Sequence, residues 1–339
     1  NLNEHPIYYS YKDVNTFYNK ETVNLLNQLD QILKIAKDDT NTPVTCIYHA
    51  GCSDGLMSAA IVKQYFKNHE VNFVEGRHGE VVNPNDYKGH FILMVDFSYE
   101  TNLMSQLAEV SKEFVIFDHH KTTMERIQDD YDNLTQFLSK SYIVIADMMS
   151  GCGLTWYMLF KDVYNRVMPL PVQYIQDGDL WTWIIPDSKI ILPAIYFNTS
   201  KTIDSYYKLL TEPFNKEWYL EVGRILSQQK TNHVKDIVKA TYQTVVFDGK
   251  TIGIANCNSI YASEVGHYII ENYPVDYSFV YRLTSDGVKI SLRSDDHLAD
   301  VSYIAQKHFN GGGHRNASGG CISFEQFYDI ILKNIQGTK

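Results

Sequence analysis

Length, composition and charge set the first limits on what this chain does. It has 339 residues, of which 44% are hydrophobic and 21% charged, an ordinary balance for a globular protein of two domains. Its formal net charge of −10 argues against binding long duplex nucleic acid, which needs many basic contacts to phosphate. It does not exclude a small phosphorylated substrate.

The cysteines and the apolar runs indicate where the protein works. The five cysteines are odd in number and scattered along the chain, so they do not form a disulfide framework and a reducing cytoplasm is expected. No apolar run approaches the roughly 20 residues that span a bilayer. We therefore expect a cytoplasmic protein with no membrane partner, and the sequence is compatible with a homodimer.

The first part of the chain alternates apolar runs with helical patterns. A single helical pattern lies within residues 1–40 and predicts an N-terminal helical extension. Beyond it, β-branched runs predict a mostly parallel sheet flanked by helices, which is an α/β fold. The predicted strands cover residues 44–48, 71–74, 91–95, 114–117 and 142–146, and the predicted helices cover 54–67, 102–112 and 153–160.

The second part of the chain predicts a separate and smaller domain. Residues 205–238 have a helical pattern, and the polar stretch 226–240 is predicted as a linker. Short strands return after residue 241 and predict a smaller α/β domain. We thus expect a first domain over 1–225, a second over 241–339, and a substrate cleft between them.

Side chains that bind metals stand where the predicted strands end. His49, Cys52 and Asp54 follow the strand at 44–48, and Asp96 follows the strand at 91–95. Ligands bind at the carboxyl ends of the strands in an open α/β sheet. Each carboxylate alone is explained equally well as a helix cap. Their recurrence on separate strands favours a metal site.

Three coordinating residues in a row, Asp118, His119 and His120, follow the strand at 114–117. His119 is predicted to bind a metal, with Asp118 orienting its ring. His120 then faces the substrate, as a proton donor or as a contact to phosphate.

A later pair of carboxylates, Asp177 and Asp179, is separated by one glycine. Two such charges repel each other unless a cation offsets them. Either residue also suits a helix cap, so the residues alone do not decide which one binds a metal. Asp147 follows another predicted strand, and we interpret it as structural or as facing substrate.

The predicted second domain carries groups suited to a phosphate. Arg293 ends a strand, and its guanidinium can bind two oxygens of an anion. About 20 residues later a glycine cluster, including Gly312 and Gly313, offers main-chain N–H groups beside His314 and Arg315. Together these residues predict a phosphate or nucleotide pocket.

In their order along the chain, these motifs resemble those of the DHH phosphoesterases with a DHH-associated C-terminal domain that ends in GGGH. The likeness extends from His49 to Cys321. The family members that the chain resembles include oligoribonucleases (nanoRNases) and phosphoadenosine-phosphate phosphatases. It implies two divalent ions, usually Mn²⁺, in the first domain, with the nucleotide end of the substrate held by the second. The implied ligands are His49, Asp54, Asp96, His119 and Asp177, of which Asp96 and Asp177 bridge the two ions.

Two details of this resemblance concern the ligands. Asp177 is preferred to Asp179 because family members often carry an aromatic residue four positions later, where this chain has Trp181. Many members have a carboxylate where this chain has Cys52. A thiolate is a softer ligand and favours Zn²⁺, Fe²⁺ or Co²⁺ at one position.

The expected function is therefore two-metal hydrolysis of short nucleotide substrates: oligoribonucleotides, dinucleotides or phosphoadenosine phosphate. Two hydrolase alternatives stay open, a pyrophosphatase or polyphosphatase and an exonuclease on single strands. An alternative of another class is a catalytically degenerate protein that binds nucleotides without cutting them. Cys52 is the feature that supports this last alternative.

Overall fold

The computed structural model describes residues 16–18, 22–129, 137, 140–160 and 167–335. The chain divides into two units, residues 1–224 and 225–339. Of the predicted extension over 1–40, residues 1–15 and 19–21 lie outside the described residues, and the helix found there starts at Thr22. All five cysteines have free thiols. Among the described helices, none has both the length and the apolar surface to cross a membrane.

Strands and helices alternate in the first unit as far as residue 160, as the sequence predicts, and the described elements that follow are helices. Its elements are β1 (Thr16–Tyr18), α1 (Thr22–Asp38), β2 (Val44–His49), α2 (Ser53–Tyr65), β3 (Val71–Gly76), a 3₁₀ turn (Pro84–Tyr87), β4 (Phe91–Val95), α3 (Thr101–Val110), β5 (Glu113–Asp118), α4 (Lys121–Asp129), β6 (Ser141–Ala146), α5 (Gly151–Phe160), α6 (Leu170–Asp179), α7 (Ser188–Asn198) and α8 (Ile203–Thr211). Helix α9 (Lys216–Thr241) begins in the first unit and ends in the second.

The sheet of the first unit has the order β1-β6-β5-β4-β2-β3 in the part of the chain that the structure describes. All neighbouring strands are parallel except the edge strand β1. Val95 pairs with Tyr48 on one side and with Phe117 on the other. The residues that follow these three therefore lie side by side at the carboxyl edge of the sheet. This register confirms the predicted α/β fold.

The stretch 226–240, predicted as a linker, lies inside the continuous helix α9. Val234 and Val238 are four residues apart and only 5% and 1% exposed. They therefore form a narrow apolar stripe, while most other residues of the stretch 226–240 are polar. The polar faces account for the prediction of a linker, because an exposed helix and a linker share this composition.

The second unit contains a mixed sheet with the order β11-β12-β10-β9-β8-β7 among the described residues. Strands β8 and β9 are parallel, and the other pairs are antiparallel. This confirms a smaller α/β domain. Its elements are β7 (Gln243–Phe247), β8 (Lys250–Asn256), a 3₁₀ turn (Ser259–Tyr261), α10 (Ala262–Asn272), β9 (Tyr277–Thr284), β10 (Gly287–Arg293), α11 (Val301–His308), β11 (Gly312–Gly313), β12 (Ala317–Ile322), α12 (Phe324–Ile330) and a 3₁₀ turn (Leu332–Asn334).

Candidate metal centre

The loop between β2 and α2 brings three candidate ligands to the edge of the sheet. Cys52 caps α2, because its Sγ accepts a hydrogen bond from the N–H of Gly55 at 3.1 Å. A Cβ atom on Gly55 would lie 2.3 Å from the carbonyl oxygen of His49. Only glycine permits this close approach, which places Asp54 in the first turn of α2.

Asp96 occupies the centre of this edge, directly after β4. Its φ of 54° lies in the left-handed region, which aspartate tolerates better than most residues. The side chain is 1% exposed. On the side of α5, a Cβ atom on Gly151 would lie 2.3 Å from the Cβ atom of Asp96. The tight contact with the start of α5 therefore fixes where the Asp96 carboxylate lies.

Donor atoms around Asp96 form two clusters that share this residue. The first cluster consists of His49, Asp96 and His120, and the second consists of Asp54, Asp96 and His119. In each cluster, one donor atom from each residue lies within 4.8 Å of the others. Asp96 therefore supplies donor atoms to both sets of candidate ligands.

The second cluster surrounds Nε2 of His119, which is 3.0 Å from Oδ1 of Asp96 and 3.5 Å from Oδ2 of Asp54. Oδ2 of Asp179 also lies 3.6 Å from it. Two ligands that each bind one ion at about 2.1 Å are about 3.0 Å apart at a right angle and about 3.4 Å apart at a tetrahedral angle. The observed spacing fits donor atoms that share an ion.

In the first cluster, Oδ2 of Asp96 lies 3.5 Å from Nδ1 of His49. The Sγ atom of Cys52 is 3.3 Å from the same oxygen and 3.7 Å from the same nitrogen. The thiol therefore lies among the donors of the first cluster, as well as capping α2. Burial and the carboxylates of Asp96 and Asp54 raise its pKa well above the usual value.

Burial and neighbouring carboxylates shift the pKa values of the residues in the second cluster. Burial alone would lower the pKa of His119, but its hydrogen bond to Asp96 and the nearby carboxylates raise that pKa to about 10. Burial and the charges of Asp96 and Asp179 raise the pKa of Asp54 well above its usual value. Protons thus offset charge that a divalent cation would offset in their place.

The start of α5 holds the carboxylate of Asp54. It accepts hydrogen bonds from Oγ of Ser150 at 2.8 Å and from the main-chain N–H groups of Gly151 and Cys152 at 2.7 and 2.8 Å. The side-chain oxygen of Gln176 in turn accepts from the N–H of Ser150. Ser150 was not among the residues predicted from the sequence. The signal was a serine just before a predicted helix, where N–H groups favour an anion.

Asp118 holds a different histidine from the one we predicted. Its Oδ1 accepts from Nδ1 of His120 at 2.7 Å and from the main-chain N–H of His119 at 2.7 Å, while Oδ2 accepts from Oγ of Ser98. Asp118 therefore orients the ring of His120 rather than that of His119. Burial alone would lower the pKa of His120, but the Asp118 carboxylate outweighs this and raises it.

The two carboxylates Asp177 and Asp179 point in different directions. Asp177 lies in the last turn of α6 and is 2% exposed. Its oxygens accept from Oγ1 of Thr182 at 2.7 Å and from the N–H groups at 184–185 at 2.9 and 3.1 Å. Asp177 thus holds the loop that follows α6. Of the two, the structure places Asp179 beside His119.

In the second unit, the two predicted arginines make different contacts. Arg293 ends β10, and its Nη2 donates to Oγ of Ser263 at 2.6 Å. The guanidinium of Arg315 donates to the carbonyl oxygens of residues 295, 296 and 298, each at 3.3 Å. Arg315 therefore stabilises the loop before α11 through main-chain hydrogen bonds.

The glycine cluster of the second unit forms the two-residue strand β11. Gly312 pairs with Gly319 and Gly313 with Ser318. A Cβ atom on Gly311 would lie 1.8 Å from the carbonyl oxygen of Gly319, so glycine is needed for this close approach of two chains. His314 follows directly and its N–H donates to the carbonyl of residue 317 at 2.8 Å.

Comparison with known proteins places the chain in a family. No family model matches it. It is 30% identical over 320 residues to an uncharacterized protein of Acanthamoeba polyphaga mimivirus, in an alignment that covers 86% of this chain and 73% of the relative. The chain belongs to the family of this viral protein. The alignment is long enough to include most of both units of the chain.

Similar solved structures show the fold of this chain. The crystal structure of exonuclease RecJ bound to manganese aligns with a TM-score of 0.51 and 14% identity, over 90% of this chain and 91% of RecJ. A RecJ from Thermus thermophilus in complex with Mn²⁺ has a TM-score of 0.48 and 12% identity, over 91% of this chain and 53% of that one. The first alignment shows that the fold is that of RecJ.

Proposed function

We propose that this protein is a divalent-metal-dependent phosphoesterase that hydrolyses short nucleotide substrates. The observation that carries the proposal is the pair of donor clusters that share Asp96. A shared carboxylate between two sets of donors suits a site for two ions. The motif order, which resembles that of the DHH phosphoesterases, and the RecJ fold support the same conclusion.

The donor atoms fit a pair of divalent ions. The site of one ion would be formed by His49, Cys52 and Asp96, and that of the other by Asp54, Asp96, His119 and Asp179, with Asp179 in place of Asp177. Imidazole and carboxylate ligands suit Mn²⁺, and the thiol of Cys52 would favour Co²⁺, Zn²⁺ or Fe²⁺ at one position. In such a site, two ions supply activation of water and neutralisation of phosphate charge.

His120 is the side chain that we assign to proton transfer. Because Asp118 accepts from its Nδ1 at 2.7 Å, Nε2 is the nitrogen that can act on a substrate oxygen. The Asp118 carboxylate raises the pKa of this ring against the effect of burial, which favours the protonated form. His120 can therefore donate a proton to the leaving oxygen when a phosphoester bond breaks.

Two features favour short substrates over long ones. The net charge of −10 works against tracking along a polyanion. In the second unit, we retain from the sequence the proposal that Arg293 and His314 bind the nucleotide end of the substrate. The substrates we propose are oligoribonucleotides of a few residues, dinucleotides and phosphoadenosine phosphate.

One second candidate has an observation in its favour. The RecJ fold is that of an exonuclease, so hydrolysis of longer single strands is the alternative. The two candidates differ in how rate depends on substrate length.

The test is hydrolysis in Mn²⁺ of a labelled dinucleotide, a 24-mer RNA, phosphoadenosine phosphate and pyrophosphate in parallel. We expect the dinucleotide or phosphoadenosine phosphate to be cut fastest. Asp96→Asn should abolish turnover, whereas Asp286→Asn, in an exposed turn of the second unit, should not. Equal rates on the 24-mer would favour the exonuclease, and no turnover with Mn²⁺, Co²⁺ or Zn²⁺ would refute the proposal.

A further inference from the structure

An arginine of α4 points back toward His120. Helix α4 begins at Lys121, directly after His120, and Arg126 lies in its last turn. Nη2 of Arg126 donates to Oγ1 of Thr123 at 3.4 Å, and the N–H of Thr123 donates to the carbonyl oxygen of His120 at 3.1 Å. Long side chains on a helix lean toward its N-terminus in this way. The guanidinium therefore reaches back to the first turn of α4, the turn that directly follows His120.

The guanidinium of Arg126 has unused capacity to bind an anion. Nη1 donates to Oε1 of Glu100 at 2.7 Å. Nε is buried and makes no hydrogen bond to any described residue. The Arg126 side chain is 22% exposed, whereas that of Glu100 is 68% exposed. Because Glu100 is mostly in solvent, it can leave this contact at little cost, while Arg126 stays in place.

His78 is a second nitrogen-bearing side chain near the first cluster, and it packs on the same phenylalanine ring as His49. Phe97 is 1% exposed, and its ring lies 5.9 Å from that of His49 and 4.9 Å from that of His78. A Cβ atom on Gly76 would lie 2.4 Å from the Phe97 ring, so Phe97 is closely packed. Desolvation, and after it the positive charges of His49 and Arg126, lower the pKa of His78.

We propose that Arg126 and His78 form a phosphate-binding subsite beside the first cluster, and that Glu100 occupies it when no substrate is bound. A guanidinium binds two phosphate oxygens with parallel hydrogen bonds, as it binds a carboxylate. Neither residue belongs to the donor clusters or to the predicted phosphate pocket of the second unit.

This inference rests on the proposed function and sharpens its substrate class. A subsite next to the clusters would bind a phosphate other than the one attacked. Substrates that carry a second phosphate, such as a dinucleotide with a 5′-phosphate, would therefore be preferred over the same dinucleotide without it.

The first test measures binding and does not depend on turnover. Isothermal titration calorimetry of inorganic phosphate into the Mn²⁺-loaded protein compares the wild type with Arg126→Gln, His78→Gln and Glu100→Gln. We expect Arg126→Gln to weaken phosphate about 10- to 100-fold, the effect of losing a hydrogen bond to a charged group. His78→Gln should weaken it less. Glu100→Gln should strengthen it about two- to fivefold, because a competing carboxylate is removed.

The matched control is Lys140→Gln, which removes one positive charge from another ion pair of the same unit, that with Glu109 at 2.5 Å. It should leave phosphate affinity unchanged. An equal loss in Lys140→Gln and Arg126→Gln would overturn the inference, since net charge would then explain both. If Arg126→Gln unfolds in a thermal scan, Glu100→Gln decides, and no gain in affinity there overturns the subsite.

The second test uses turnover of a dinucleotide with and without a 5′-phosphate. Arg126→Gln should raise the KM of the phosphorylated substrate and leave that of the other unchanged. A rise for both substrates would overturn the inference. If the wild type cuts neither substrate, the proposed function fails, and the binding test still decides on the subsite.

Discussion

Replacing Ser150 with alanine tests how the protein holds Asp54 in the second cluster. The hydroxyl of Ser150 is fully buried and donates to Oδ1 of Asp54 at 2.8 Å. Alanine removes this donor and leaves the N–H groups of residues 151 and 152 as partners of the carboxylate. The ligand should therefore lose part of its orientation without losing its position in α2.

The size of the effect follows from the kind of contact. Asp54 would bind a metal in its ionised form, and a hydrogen bond to an ionised group contributes about 1.5–3 kcal/mol. Loss of a group that orients a metal ligand weakens metal affinity about 10- to 100-fold. We expect a loss of Mn²⁺ affinity in that range. Ser58→Ala is the matched control, because Oγ of Ser58 is also fully buried but donates to the main-chain carbonyl of Asp54 at 2.8 Å.

The assay is calorimetric titration of Mn²⁺ into the wild type, Ser150→Ala and Ser58→Ala, with circular dichroism to check that each is folded. The Mn²⁺ affinity of Ser58→Ala should be within about threefold of that of the wild type, because the side-chain carboxylate of Asp54 keeps its hydrogen-bond partners. Unchanged affinity in Ser150→Ala, or the same loss in both variants, would refute the role of Ser150 in holding Asp54.

Three further predictions concern the same centre. Gly151→Ala should abolish Mn²⁺ binding in calorimetry, because its Cβ would lie 2.3 Å from that of Asp96, and unchanged affinity would contradict this. Asp179→Asn should weaken Mn²⁺ binding with little change in Tm. Asp177→Asn should instead lower stability by about 1.5–3 kcal/mol, measured by urea unfolding, and the reverse pattern would refute the assignment. With a pKa raised to about 10, His119 should carry a proton at pH 7. Mn²⁺ should displace this proton and therefore bind more tightly as pH rises. Calorimetry in buffers of different ionisation enthalpy measures the release, and no proton release would contradict the prediction.

Much of the first unit could be predicted because its strands are buried on both faces. Such strands form continuous apolar runs, and all five residues of β4 are buried. The carboxyl ends of parallel strands meet at one edge, so the grouping of His49, Asp96 and Asp118 follows from strand order alone. The region 226–240 could not be read in the same way, since a solvated helix and a linker have similar polar compositions.

The partner of Asp118 also follows from geometry that motif order does not contain. In extended chain, side chains two residues apart point to the same side. Asp118 ends β5, so its carboxylate reaches the ring of His120, two residues on. The ring of His119 points instead toward the second cluster. Strand periodicity was therefore a better guide than the expectation that a neighbouring carboxylate orients the metal ligand.

The sequence by itself determined that apolar strands end in metal-binding side chains, and so which elements form the centre. Only the tertiary structure shows that Asp177 and Asp179 contact different groups. Two residues apart in a helix are rotated by about 200°, so one carboxylate turns to its own loop and the other to His119. It also revealed Ser150, which lies 96 positions from Asp54. A contact over that separation depends on how α5 packs against α2, and no local pattern of residues encodes it.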